Sequence, residues 1–291
     1  MEEMGDKPLR DDQTPVQDPQ PQPVQPIQEL EPPLRITTTT SPLITLEAEN
    51  ELLAFTFSAL PPPDFSQTLR EKLEQWGMSK HLKIGRFRYN KTYTDLNSTD
   101  FLNDLLKSAD FRNSGFGVPM PKDTTGYTKL RVTHMNMNLL DKLEEHDIVG
   151  HGDYIKKTWG ETVDGVEIVD KLREALLCPD TEAAQAFSQK DREELLFLVL
   201  QLVVVGGSLN QYEDYLGPYR DAVRELYKAL VSVRKDANTS QMFIDTFAYR
   251  ITKVDGKDIF AEEHPQNMVI VCVQNFSKTA VVLRFKWEYF A

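Results

Sequence analysis

Cysteine is scarce in this sequence of 291 residues, which contains only two. Cys178 and Cys272 lie far apart and form no Cys-x-x-Cys or Cys-x-x-His pair. Structural zinc sites and the disulfide frameworks of small secreted domains need several cysteines, and zinc sites use closely spaced pairs. The sequence therefore predicts neither kind of site.

A long apolar run is also missing. The most apolar stretch, residues 195–205, is interrupted by Gln201, whereas a membrane-spanning helix needs about 20 apolar residues. The stretch therefore predicts a buried helix, and we expect no membrane partner. The first residues do not combine a basic segment with an apolar one, as a secretory signal would, so we expect the chain in the cytoplasm.

Basic residues are outnumbered, with 33 Lys and Arg against 45 Asp and Glu and a net charge of -12. This charge repels phosphate backbones and acidic filaments, so the sequence predicts no nucleic-acid partner and no simple electrostatic docking on a microtubule. A local exception is the basic stretch at residues 80–91, where Arg86 and Arg88 share one face of a predicted strand. That face would suit an acidic partner; a solvated strand face is the alternative.

Aromatic residues are absent from residues 1–48, which are rich in Pro and Gln. Ordering a residue costs about 1–2 kcal/mol, and this segment lacks the apolar surface to offset that cost. We predict a disordered, partly polyproline-II tail.

Apolar periodicity in the remaining chain predicts a single α+β domain over residues 52–291, with a helical middle and a C-terminal antiparallel sheet. We predict a long loop at residues 109–128, and Gly206-Gly207 as the end of a long helix that a capping box at Ser188 opens. The predicted helices span residues 65–76, 98–106, 139–143, 166–177, 188–205 and 217–230. The predicted strands span residues 53–57, 81–89, 129–133, 242–251, 268–273 and 280–289.

Catalytic signatures are weak. The best enzyme candidate is an oxygenase-like iron site made by His151, Asp153 and His264, since two histidines and a carboxylate can hold iron(II). His151 and Asp153 lie beside glycines with helical sequence following, whereas such a site needs a strand that aims both side chains at one point. We predict no catalytic residue, no metal ligand and no cofactor, and keep the iron site as an alternative.

Tyrosines cluster around a predicted turn before the helix at residues 217–230. Tyr212, Glu213, Asp214 and Tyr219 form a candidate partner-binding surface, because tyrosine supplies wide, rigid and amphipathic contact area. We expect Tyr212 and Glu213 to be replaceable without unfolding. The alternative is that Asp214 caps the next helix and the tyrosines pack onto the domain.

Several motifs in this region occur together, in the order FSQKDREE at residues 187–194, GGSLNQYED at residues 206–214 and LYKALVSVRK at residues 226–235. In this order and spacing they resemble the family of cilia- and flagella-associated protein 300. The resemblance covers residues 52–291 and leaves out the tail.

The resemblance implies a non-catalytic adaptor required for assembly or ciliary delivery of axonemal dynein arms. The resemblance implies that the protein is found in the cytoplasm and the motile cilium. It also implies three kinds of partner: dynein-arm components, dynein-assembly cochaperones of the kintoun type and the intraflagellar transport machinery. It carries no catalytic residues. Arg234 and Lys235, at a predicted helix end, join the candidate partner-binding residues. A stable structural component of the axoneme is the further alternative.

Overall fold

The computed structural model describes residues 54–288. The predicted disordered tail, residues 1–48, lies outside the described residues, as does Leu53, where the first strand is predicted to begin. That residues 52–291 form a single domain stays a prediction.

Helices and strands both occur in the first half of the described chain, and in the second half four successive α-helices precede six successive strands. The helices are α1 (Gln67–Gln75), α2 (Ser98–Lys107), α3 (Ala109–Asn113), α4 (Lys142–Glu145), α5 (Lys171–Leu177), α6 (Gln189–Arg192), α7 (Leu195–Val205) and α8 (Leu216–Leu230). The strands are β1 (Phe57–Leu60), β2 (Leu82–Tyr89), β3 (Thr125–Leu130), β4 (Thr162–Val163), β5 (Val166–Glu167), β6 (Val233–Lys235), β7 (Met242–Ile244), β8 (Thr246–Val254), β9 (Lys257–Asp258), β10 (Met268–Gln274) and β11 (Thr279–Phe285).

The main sheet is antiparallel, with the strand order β1-β2-β11-β10-β8-β3 and with β9 paired to β8. Its central strands, β10 and β11, are buried at nearly every position and rich in valine, as expected for strands covered on both faces. The predicted α+β class, with a helical middle and a C-terminal antiparallel sheet, is confirmed. The sheet also takes in β1, β2 and β3 from the first half of the chain.

Helices cover this sheet on both faces. Side chains such as Ile270 and Leu283 pack in one core with α5, α7 and α8. Val271 and Val282, which alternate with them, pack on the opposite face with the apolar side chains of α2 and α3. α7 is the predicted buried helix, and among residues 54–288 no helix is long and apolar enough to cross a bilayer.

The single helix predicted at residues 188–205 is instead two helices. The capping box at Ser188 is present, but it opens the short α6. The chain then bends at Glu194, whose carboxylate accepts hydrogen bonds from the Thr133 backbone N–H (3.0 Å) and hydroxyl (2.7 Å). Leu195 N–H donates to the Arg131 carbonyl (2.8 Å), so backbone pairing with the segment after β3 replaces the helical bond at the bend.

The predicted helix end at Arg234 and Lys235 is also wrong, because α8 ends at Leu230 and both residues lie in β6. β6 pairs with β7 in a two-stranded ribbon, called the β6–β7 hairpin below. The strand predicted at residues 242–251 is interrupted at Asp245 between β7 and β8. Asp245 N–H donates to the Ser232 carbonyl (2.9 Å), which closes the base of this hairpin.

Smaller differences concern element ends. The predicted loop at residues 109–128 contains α3 and the beginning of β3, and the helix predicted at residues 166–177 begins only at Lys171. The cause of the late start is Asp170, whose carboxylate accepts from Arg173 N–H (2.8 Å) and caps α5. The first strand begins at Phe57 and the last ends at Phe285.

Candidate partner-binding surfaces

Arg173 is a fully buried arginine on α5 that lies beneath the predicted tyrosine turn. Its guanidinium is ion-paired with the Asp170 carboxylate and donates to the Val204 carbonyl (2.8 Å) and the Tyr219 hydroxyl (2.8 Å). The ring of Tyr212 lies over the guanidinium, with 3.6 Å between the Cζ atom and the ring centroid. Burial alone would lower the pKa of Arg173, but Asp170 and the two tyrosines outweigh it and raise the pKa.

Glu213 fixes the same turn to α1. Its carboxylate accepts from Lys72 Nζ (2.7 Å) and from the Trp76 indole N–H (3.1 Å). Its backbone N–H donates to the hydroxyl of Tyr219, which is fully buried (3.0 Å). Because Tyr212 and Glu213 both make internal contacts, we expect their joint replacement to lower stability, contrary to the expectation from the sequence.

Asp214 and Tyr215 form the outer side of the turn. The Asp214 carboxylate is ion-paired with Lys157 (2.5 Å), and its carbonyl accepts from Ile155 N–H (2.9 Å). It does not cap α8, whose N-cap is Tyr215 with no side-chain hydrogen bond. The alternative interpretation of the turn, in which its tyrosines pack onto the domain and Asp214 caps the next helix, is thus right for Tyr212 and Tyr219 and wrong for Asp214.

A pair of exposed tyrosines lies beside Asp214. Tyr215 is 54% exposed and meets the ring of Tyr154 edge-to-face, with 5.9 Å between centroids. Two residues beyond Lys157, Trp159 is fully exposed. We call Tyr154, Asp214 and Tyr215 the tyrosine surface. Exposed tyrosine and tryptophan side chains are typical of the energetic centres of protein–protein interfaces.

Tyr154 and Trp159 could not be linked to the turn from the sequence, because they lie far from it along the chain. A backbone bridge between Tyr154 and Tyr215 and the ion pair of Lys157 with Asp214 bring the two segments together. The sequence signal of an exposed ring is the position of Trp159, which lies beside Gly160 in a segment with little apolar periodicity.

Arg234 and Lys235 lie on the β6–β7 hairpin, away from the tyrosine turn in the fold. The Arg234 guanidinium lies over the ring of Phe276, with 3.4 Å between the Cζ atom and the ring centroid. Lys235 is exposed and pairs across the hairpin with Met242. Within residues 54–288, neither basic side chain forms an ion pair with the tyrosine turn. The predicted binding residues therefore divide between two surfaces.

Two residues of the alternative iron site, Asp153 and His264, are engaged elsewhere. Asp153 accepts two hydrogen bonds from the Arg220 guanidinium (2.9 Å each). His264 stacks on Trp287 (4.1 Å between centroids), its Nε2 bonds the Asp164 carbonyl (2.8 Å), and its Nδ1 accepts from a backbone N–H. Among the residues that the structure describes, no group of three or more His, Cys, Asp or Glu side chains is placed to hold a metal ion. His151, Asp153 and His264 therefore do not form the site that this alternative requires.

Comparison with known proteins identifies relatives but no structural precedent. The sequence model of the family "Cilia- and flagella-associated protein 300" matches residues 54–285. A curated relative of that name from Paramecium tetraurelia is 34% identical over 221 residues, which is 75% of this chain and 86% of the relative. One from Chlamydomonas reinhardtii is 30% identical over 226 residues, covering 73% and 86% of the two chains. No solved structure matches. The chain therefore belongs to the cilia- and flagella-associated protein 300 family.

Proposed function

We propose that this cilia- and flagella-associated protein is a non-catalytic adaptor required for the assembly or ciliary delivery of axonemal dynein arms. The observation that carries the proposal is the family match over residues 54–285, almost the whole described chain. The adaptor acts in the cytoplasm and in the motile cilium. Its partners are dynein-arm components, cochaperones of the kintoun type and the intraflagellar transport machinery.

The tyrosine surface supports a role in binding other proteins. Tyr154 and Tyr215 present exposed rings, while Tyr212 and Glu213 hold the turn on Arg173 and α1. A surface that is rigid before binding loses little conformational entropy when a partner docks. The half-buried Tyr212 thus helps to position the turn that carries the exposed Tyr215.

Deletion of the gene in a flagellated cell tests the function. We expect electron micrographs of axoneme cross-sections to lack dynein arms, and wild-type protein to restore them. Normal arms in the deletion strain would refute the proposal.

Rescue with variants tests the tyrosine surface. Tyr154→Ala combined with Tyr215→Ala removes exposed rings, and we expect weaker copurification of the dynein-assembly partner and incomplete restoration of the arms. Leu96→Ala, which removes another exposed apolar side chain, is the matched control and should rescue fully. If the double variant folds and rescues as well as Leu96→Ala, partners bind elsewhere.

A further inference from the structure

A groove of about 390 Å³ lies beside the last turn of α8. Its walls are largely apolar and include methionines from the segment after β3, which contributes no regular structure of its own. The residues that line it include Met135, Met137, Tyr227, Lys228, Val231 and Val233. We call it the hairpin groove, because Val233 belongs to the β6–β7 hairpin.

Both walls of the hairpin groove are fixed to the rest of the domain. The Tyr227 hydroxyl donates to the His134 carbonyl (2.9 Å), which ties the methionine segment to α8. Ser232 N–H donates to the Thr246 hydroxyl (2.8 Å), which ties the hairpin to β8. A groove that exists before binding requires little ordering of its walls.

Exposed apolar surface continues from the groove along the hairpin. Val233, Lys235 and Met242 share one face of the ribbon, because Lys235 is two residues from Val233 and directly opposite Met242. Met135 and Met242 are each 52% exposed. Methionine side chains adapt to irregular partners, which makes them frequent at peptide-binding surfaces.

Among the described residues, two lysines on or beside this groove lack carboxylate partners, whereas Arg224, which also lines it, pairs with Asp221. Within residues 54–288, neither Lys228 nor Lys235 forms a salt bridge, and both are exposed. Lys228 also lines an adjoining groove of about 370 Å³, where Arg86 faces it and likewise forms no salt bridge with the described residues. On a chain with a net charge of -12, these unpaired cations mark a locally basic surface.

Nearby carboxylates are already engaged within the protein. Two of them form ion pairs, Asp221 with Arg224 (2.6 Å) and Asp64 with Arg70 (2.6 Å). The Glu225 carboxylate accepts hydrogen bonds from the Ser66 N–H (2.5 Å) and hydroxyl (2.7 Å). Asp236 accepts from Thr239 N–H (2.7 Å), and Asp245 accepts from Phe276 N–H (2.7 Å). Hydrogen bonds from N–H and hydroxyl groups orient Glu225, Asp236 and Asp245 without neutralising them. Four cations without a salt bridge among the described residues, Arg86, Lys228, Arg234 and Lys235, outnumber these three carboxylates, so the charge around the groove is positive overall.

We propose that the hairpin groove binds an acidic, amphipathic segment of a partner protein. Apolar side chains of the segment enter between Met135, Met137 and Val233, while its carboxylates lie over Lys228 and Lys235. Apolar anchoring supplies affinity, and charge complementarity supplies specificity and a faster association rate. The biological role of the groove rests on the proposed adaptor function, whereas the binding itself is a property of the isolated protein.

Fluorescence anisotropy with the full-length protein tests this binding. The probe is a labelled synthetic helical peptide with leucine on one face and glutamate on the other, and its counterpart carries glutamine in place of glutamate. We expect the acidic peptide to bind, added salt to weaken it, and the glutamine peptide to bind at least about tenfold more weakly.

Charge reversal locates the peptide. Lys228→Glu with Lys235→Glu should weaken binding of the acidic peptide by at least about tenfold. The matched control is Lys80→Glu with Lys257→Glu, which reverses two exposed lysines, one before β2 and one in β9. It should change the affinity by less than about twofold. Met135→Ser tests the apolar half and should also weaken binding.

The proposal would be overturned if the two double variants bound the acidic peptide equally well. It would also be overturned if the wild type bound the acidic peptide and the glutamine peptide equally well. Self-association that only the Lys228/Lys235 variant abolishes would assign the groove to a second copy of this chain and overturn it equally. Tight binding that appears only after removal of residues 1–53 would assign the groove to that segment. None of these results bears on the dynein-arm function, which the axoneme sections decide separately.

Discussion

The Asp170 and Arg173 side chains form an ion pair from which solvent is fully excluded. Removing two charges from water costs several kcal/mol for each ion, and the cost is offset only where further hydrogen bonds satisfy both partners. The contacts of Arg173 with Val204 and Tyr219, and the cap that Asp170 makes on α5, provide most of them, and among the described residues only Nε of the Arg173 guanidinium has no hydrogen-bond partner. The pair is therefore sensitive to the loss of either charge.

Asp170→Asn should lower the free energy of unfolding by about 3–5 kcal/mol, because it leaves the Arg173 charge buried without its counterion. Asparagine is itself a good N-cap, so the variant removes the charge while keeping the cap. Urea unfolding measures the change.

Asp221→Asn is the matched control, since Asp221 and Arg224 form an Asp–Arg pair at the same spacing on the surface. It should change stability by less than about 0.5 kcal/mol. Similar losses in both variants would mean that burial does not govern the energetics of the Asp170–Arg173 pair.

His264 should make stability depend on pH. Burial lowers the pKa of this imidazole and outweighs the opposing effect of Asp164. A folded-state pKa below the unfolded value, about 6.5, means that the unfolded chain binds the proton more readily. The contribution of neutral His264 to the free energy of unfolding is therefore fully present above about pH 6.5 and declines as the pH falls below that value.

Urea unfolding of wild type and His264→Gln between about pH 7.5 and 5.5 measures this effect. We expect the wild type to lose stability toward the acidic end and the variant to lose less. If the two pH profiles run parallel, His264 does not carry the dependence.

The role of single tyrosines could be predicted from the sequence only in part. A tyrosine beside a turn suits both a binding surface and internal packing, and what separates Tyr212 from Tyr215 is the presence of Arg173 beneath one of them. Arg173 is distant in sequence and belongs to a helix with an ordinary amphipathic pattern. No local signal reveals that its charge points inward.

At the scale of elements, the Gly206–Gly207 pair shows that a helix end can also be a packing contact. The pair ends α7 as predicted, with Gly206 at a φ of 64°. Gly207 N–H donates to the Trp76 carbonyl (2.9 Å), and a Cβ at Gly207 would lie 2.2 Å from the Gly77 carbonyl oxygen. The end of α7 therefore meets the end of α1 backbone to backbone.

Gly207→Ala should lower the free energy of unfolding by about 1–3 kcal/mol or more, because the new methyl group meets backbone that cannot rotate away. Gly217→Ala is the control, since nothing lies within 4 Å of a Cβ there, and alanine in α8 should raise stability by up to about 1 kcal/mol. Thermal unfolding of both variants measures the difference, and a stable Gly207→Ala would show that α1 and α7 can separate.

The elements themselves were predictable where local pattern decides, as in α1, α7, β10 and β11. The bend at Glu194 and the conversion of residues 233–235 to strand were not, because distant partners cause them. Arg131 and Thr133 supply the hydrogen bonds at the bend, and Met242–Ile244 supplies the strand that β6 pairs with. Helical periodicity continues through the bend at Glu194 and gives no warning there.

At the scale of the whole molecule, the sheet order depends on contacts between the two ends of the described chain. β11 pairs with β2, so the basic face of β2 that carries Arg86 reaches the end of α8 beside Lys228. The sequence indicated the basic strand face and a mixed fold. It could not indicate that this face and the methionines of residues 135–137 line two grooves that share Lys228, because strand order is set by the packing of the complete core.

The distribution of the protein in flagella separates an adaptor from a structural component of the axoneme. An adaptor binds its partners reversibly, and a net charge of -12 gives this chain no general attraction to an acidic microtubule lattice. We therefore expect detergent to release most of the tagged full-length protein from isolated flagella, with a further pool in the cell body. A lattice component would remain with tubulin in the detergent-insoluble axoneme until high salt removed it. Immunoblots of these fractions decide between the two roles. Recovery of the protein mainly in the high-salt extract would contradict the adaptor role, because exchange between cytoplasm and cilium requires the unbound state to be well populated.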